Sequence, residues 1–185
     1  MEVEAAPLPS VAQLREVKNE LIGSLQRKQS AFKEGLLARM LTWVDSTENS
    51  EVLFQLVPSV VAIAKDVPEA SAAVRLHSAG LLQAAQLLFT SPTPSFHKVS
   101  LRLLSLLISL EAVTDLDSAL RILTVAMESR LLAPLSAETL SVGIKSGLFG
   151  SLAVEIYEAT MIKLVEIAAS GQNGEFAGEG PLRSW

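Results

Sequence analysis

The chain has 185 residues and a formal net charge of -5, with hydrophobic residues at 49%, charged residues at 19% and aromatic residues at only 5%. An acidic balance excludes a broad electrostatic footprint for nucleic acid or anionic lipid. The absence of cysteine excludes disulfide scaffolds, cysteine-ligated zinc and thiol catalysis. With so few aromatics, the core must be built from Leu, Ala, Val and Ile, a palette that favours helices.

Residues 1–10 are acidic and proline-broken, without the basic and apolar blocks of a signal peptide, and are expected to be flexible. Leu14, Val17, Leu21 and Ile22 then recur at three- and four-residue steps, which place them on one face of a helix. Arg15, Lys18, Arg27, Lys28, Lys33 and Arg39 crowd the same region against Glu16, Glu20 and Glu34. Such a run reads first as a solvated helix face and secondly as a docking surface for an acidic partner.

Gly35 precedes a second apolar run, Leu36 to Val44, which stops at the polar cluster of residues 45–50. A helix from about Glu51 to Lys65 turns Val52, Leu56, Val60 and Ile63 inward, with a kink expected at Pro58 because proline lacks a backbone donor. A short helix reaches about His77, and Gly80 precedes Leu81 to Phe89, closed by Ser91, Pro92, Thr93 and Pro94. Val99 to Val113 is the most apolar stretch. It contains Arg102 and Glu111 and falls short of the roughly 18 apolar residues a membrane-spanning helix needs, so it reads as a buried core helix.

The pattern repeats. Glu34 to Leu37 and Ala79 to Leu82 lie 45 residues apart, and Ile22, Ile63 and Ile108 follow at intervals of 41 and 45. Armadillo and HEAT units recur at about 40–47 residues. The spacing predicts an all-α fold, an α-solenoid of two to three helical repeats over residues 11–169, with the helices around Val11–Ile22, Glu51–Lys65 and Ser95–Leu110 side by side on a concave wall. Beyond Leu110 the register blurs: Asp115 to Met127 and Ala137 to Ile144 read as helices, Gly147 to Ala169 as a long one, and the Gly-rich residues 170–185 as a disordered tail.

Catalytic and metal-binding patterns do not emerge. His77 and His97 stand apart without carboxylates at ligand spacing, Ser146 to Gly150 lacks the Lys-Ser/Thr ending of a P-loop, and Glu155 with Glu158 reads as a solvated helix pair. No metal, cofactor or small-molecule substrate is expected. An enzyme whose site escapes pattern reading is the third of three alternatives, after the two protein-binding readings below.

Lys18, Asn19, Ile22, Gly23 and Lys28 form a Lys-Asn-x-x-Ile-Gly-x-x-x-x-Lys string. It resembles the opening repeat of the armadillo subunit of the GID (CTLH) ubiquitin-ligase complex. The similarity extends through Gly35 to Leu41 and the Ser91-Pro92 break, covering Gln13 to Leu110. The resemblance implies a non-catalytic scaffold arm that links a ligase core to a substrate receptor, with other ligase subunits as partners and a cytoplasmic or nuclear location. Members of that family are several times longer, which implies an N-terminal fragment or a divergent short form. A general helical-repeat adaptor for another peptide or protein is the second reading. The Trp-x-x-x-Asn ladder of nuclear-import adaptors is missing: the compared positions hold Val17 and Leu21, Pro58 and Ala62, and Leu103 and Leu107.

Charge placement then marks candidate binding residues. Arg15 and Lys18 share one face of the first concave helix, and Lys65 and Arg102 sit on the second and third, which predicts a discontinuous basic strip for an acidic segment of a partner protein.

Overall fold

Helix starts are written into the chain as side-chain caps. Ser10 Oγ accepts from the Gln13 amide while Gln13 Oε1 accepts from the Ser10 amide, a reciprocal box that opens α1 (Val11–Ile22). Ser24 caps α2 (Leu25–Lys33), and Asn49 takes the Glu51 and Val52 amides at the start of α4 (Ser50–Asp66). Between them lies α3 (Leu36–Ser46).

The computed structural model describes residues 6–150 and 153–176. After α4 come a single 3-10 turn (Pro68–Ala70), α5 (Ser71–Leu76), α6 (Ser78–Thr90) and α7 (Pro94–Ser109). The chain continues through α8 (Leu116–Met127), whose cap is Asp115, and α9 (Ala133–Lys145) to α10 (Ala153–Phe176). Among the described residues there is no strand, so the fold is all-α.

Burial explains how the helices are arranged. On α4, ten residues are buried, and of the seven left open, Glu51, Phe54, Pro58, Ala62 and Lys65 recur at three- and four-residue steps as a single stripe, with Ser50 and Asp66 at its two ends. Helix α7 is similar, with nine buried residues and an open stripe at Lys98, Arg102 and Ser105. Helices covered on nearly every side need neighbours on several. They have them: α4 packs on α1, α3, α6 and α7, and α7 packs on α4, α6 and α9. Helices α1, α4, α7, α9 and α10 are therefore neighbours in sequence order, while α3, α6 and α8 pack successively on one another.

Buried serines stitch partner helices together. Ser100 Oγ on α7 donates to the Ala85 carbonyl of α6 at 2.6 Å, and Ser136 Oγ on α9 donates to the Leu123 carbonyl of α8 at 2.7 Å. Each serine is fully buried, so its hydroxyl needs that partner. Lys28 is the other buried polar anchor: its ammonium pairs with Asp66, the last residue of α4. A carboxylate at a helix C-terminus meets the negative end of the helix dipole, and the Lys28 cation offsets it. Since Asp66 remains partly exposed, Lys28→Met is expected to cost no more than about 1 kcal/mol, the stem still being packed. Denaturant titration should find that difference shrinking in high salt.

Several expectations are corrected here. Ile63 and Ile108 are fully buried, but Ile22 is 52% exposed and is not their counterpart; on α1 the covered residues are Leu14 and Leu21. The cause is position: α1 packs on α2 and α4 and has no earlier helix beside it among the described residues. Pro58, where a kink is expected, lies inside the single helix α4. Ala6, within the segment expected to be flexible, offers its carbonyl to the Trp43 indole N–H at 2.9 Å.

The long final helix starts later and ends later than expected. Gly147 and Gly150 have φ of +74° and +52°, left-handed values that make a turn and not a helix start. Residues 170–176, expected in the disordered tail, belong to α10. Glycine weakens a helix by roughly 1 kcal/mol per residue without removing a ladder hydrogen bond, so Gly171 and Gly174 do not force a stop. Residues 177–185 lie outside the described residues.

Candidate protein-binding face

The open stripes of α1, α4 and α7 belong to helices that pack in series. On α1, Arg15 is exposed and Lys18 is partly covered, one helical turn apart. The Lys18 ammonium sits over the Phe54 ring of α4, 5.5 Å from its centroid. Phe54 in turn stacks on Phe96 of α7, with centroids 4.4 Å apart and planes 24° from parallel. One chain of contacts thus runs across three helices, from a cation to two aromatic rings, a geometry in which the ring face attracts the charge.

Burial holds the Lys18 ammonium below the usual lysine range, and the nearby Arg15 charge lowers it further. A carboxylate arriving from outside would offset the repulsion between Lys18 and Arg15.

Lys65 and Arg102 are exposed on the stripes of α4 and α7. Neither they nor Arg15 and Lys18 take part in an ion pair among the described residues. The structure brings Arg15 and Lys18 together and joins Lys18 to the α4 stripe; it shows no contact linking Lys65 or Arg102 to them. Lys98, one turn before Arg102, adds a cation to the α7 stripe, and the carboxylates of α4 stand at its two ends, Glu51 at the start and Asp66, paired with Lys28, beside Lys65.

Sequence reasoning missed the two phenylalanines. A signal was present, since Phe54 and Phe96 are 42 residues apart, close to the intervals of 41 and 45 that separate the isoleucine landmarks, and each lies near the start of its helix. The compared ladder positions also change. Leu21, Leu103 and Leu107 are buried, so the relevant open positions are Arg15 and Lys18, Pro58 and Ala62, and Lys98, Arg102 and Ser105. None of them is Trp, and Asn19, exposed on α1, has Arg15 and not Trp four residues before it.

The remaining polar groups have local roles. His77 Nδ1 donates to Asp45 Oδ2 at 2.6 Å, tying the start of α6 to the end of α3, and the His97 ring bonds the Ser91 carbonyl at 2.6 Å beside Phe89. Asp115 is held below the usual carboxylate range by the Ser118 hydroxyl and amide that it caps. No group of three or more His, Cys, Asp or Glu side chains with metal-binding geometry occurs among the described residues, and none of their helices is long and apolar enough to cross a membrane.

Compared with known families, curated proteins and solved structures, the chain matches none.

Proposed function

We propose that this chain is an armadillo-type helical-repeat module that works as a non-catalytic scaffold, binding an acidic segment of another protein along the open stripes of α1, α4 and α7. One observation carries the reading: cations stand on the solvent stripes of three helices packed in series, unpaired with any carboxylate among the described residues, in a chain whose overall charge is -5. Complementary charge steers encounter and sets register along such a face. The serial packing of α1, α4 and α7, with landmarks spaced near the armadillo interval, supports the solenoid reading.

The resemblance to the GID (CTLH) armadillo subunit points to ubiquitin-ligase subunits as the partners. The broader reading, an adaptor for a different protein, gains from the places of the matched residues. Lys28 is engaged with Asp66 and Lys18 with Phe54, so helix packing accounts for both without a ligase partner.

Affinity purification of the tagged chain from its native cell, with identification of bound proteins, separates the two. Recovery of ligase subunits supports the first reading and their absence beside another specific partner supports the second. In either case the double reversal Arg15→Glu and Lys18→Glu should weaken capture by about ten-fold or more, in a salt-sensitive way, with helicity and melting nearly unchanged. Undiminished capture by the folded double variant would remove the basic face from the mechanism.

A further inference from the structure

A second surface lies where α8 leaves α6 and α7 partly uncovered. Ser118, Arg121, Ile122, Val125 and Ser129 recur at helical spacing and form one flank of α8 and the residues just past it. Opposite them stand the end of α6, at Phe89, and the first turns of α7. Two hollows of about 420 and 430 Å³ open along this flank, and both are lined by Phe89 and Val125, which makes them one groove. From Ser118 to Ser129 the flank rises about 16 Å at 1.5 Å per residue, the length of about five residues of extended chain.

Its chemistry is graded along that length. The middle is apolar, with Val125 49% exposed although it lies in the body of a helix, and Leu131 at one end is 77% exposed. Each half holds one cation, Arg121 in the first and Lys98 in the second. No carboxylate lines either half, and neither cation is in an ion pair among the described residues. Asp115, which also feels the Arg121 charge, is engaged with Ser118 at the α8 cap.

We propose that this groove binds a short acidic segment of a partner protein, a bulky apolar side chain resting on Phe89 and Val125 between carboxylates that reach Arg121 and Lys98. Charge complementarity selects the occupant. A basic segment is repelled at both ends, and a wholly apolar one leaves the two cations half desolvated without a partner. The site goes beyond the face of α1, α4 and α7: Lys98, on the α7 stripe, borders both, while Phe89, Arg121 and Val125 lie on α6 and α8 outside that face.

The test is selection of a displayed library of short random peptides on the full chain, followed by affinity measurement of the enriched peptides on three variants. Enriched peptides should carry a large apolar residue with Asp or Glu on both sides. Their affinity should fall about ten-fold or more with Val125→Glu, and again with Lys98→Glu plus Arg121→Glu, while Arg15→Glu plus Lys18→Glu leaves it unchanged. Val125, Lys98, Arg121 and Arg15 are exposed and Lys18 is partly covered, and far-ultraviolet circular dichroism verifies that each variant is folded. No enrichment, enrichment without acidic bias, or equal binding to Val125→Glu overturns the groove. Affinity lost only with the Arg15 and Lys18 reversals overturns it too, and assigns the peptides to the other face.

Discussion

Leu104→Ala is expected to be among the most damaging truncations in the chain, costing about 3 kcal/mol. Leu104 is fully buried on α7, and Leu101, Leu103 and Leu107 around it are equally covered. The cost of such a truncation depends on how far the surroundings can collapse into the cavity. Here collapse is resisted on several sides, because α7 is packed on α4, α6 and α9 and is tied to the α6 backbone through Ser100. For a domain of this size the loss corresponds to a drop of about 9 °C in Tm. Arg102→Ala, two residues away on the open stripe, should shift stability by no more than about 0.5 kcal/mol. Thermal melts of the two variants therefore check both the hub role of α7 and the assignment of its solvent face. Similar shifts for the pair would contradict that assignment.

The same contrast shows how far the fold was legible. Breaks at residues 45–50 and at Ser91 to Pro94 carry their own turn chemistry, and the structure ends α3 and α6 there. Inward positions on α4 and α7 follow from helical spacing alone, because both helices are covered on most sides and nearly every apolar residue finds a neighbour. Ile22 defeated that logic. Its spacing is the same as that of Ile63 and Ile108, but α1 lies at the start of the row, and burial depends on what packs alongside, which spacing does not encode.

The candidate face divides in a similar way. The exposure of Arg15, Lys65 and Arg102 could be read from their places opposite the apolar stripes. That Lys18 rests on an aromatic pair could not, since it requires the register between α1, α4 and α7. The Val125 groove was hidden for the same reason: α6, α7 and α8 each contribute a flank, and no single segment shows a motif.

The turn after α9 is the place where sequence reading departed furthest from the structure, and it supports a sharp prediction. Gly143 lies inside α9, where alanine would ordinarily improve a helix by about 1 kcal/mol. A Cβ there, however, would overlap the Cε2 and Cζ atoms of Phe149. Phe149 is only 3% exposed, and the left-handed turn through Gly147 and Gly150 folds its ring back against α9. Gly143→Ala must therefore displace a buried phenyl ring. Full exposure of a phenylalanine side chain costs about 1.5–3 kcal/mol, and the helix gain offsets part of it, so a net loss of about 1–2 kcal/mol is expected. Phe149→Ala alone should cost about 3 kcal/mol. In that background the obstacle is gone, and adding Gly143→Ala should be neutral or stabilising. Denaturant titration of the single and double variants closes the cycle. A Gly143→Ala substitution that destabilises equally with and without the ring would mean that the close approach of Phe149 is not what keeps glycine at this position.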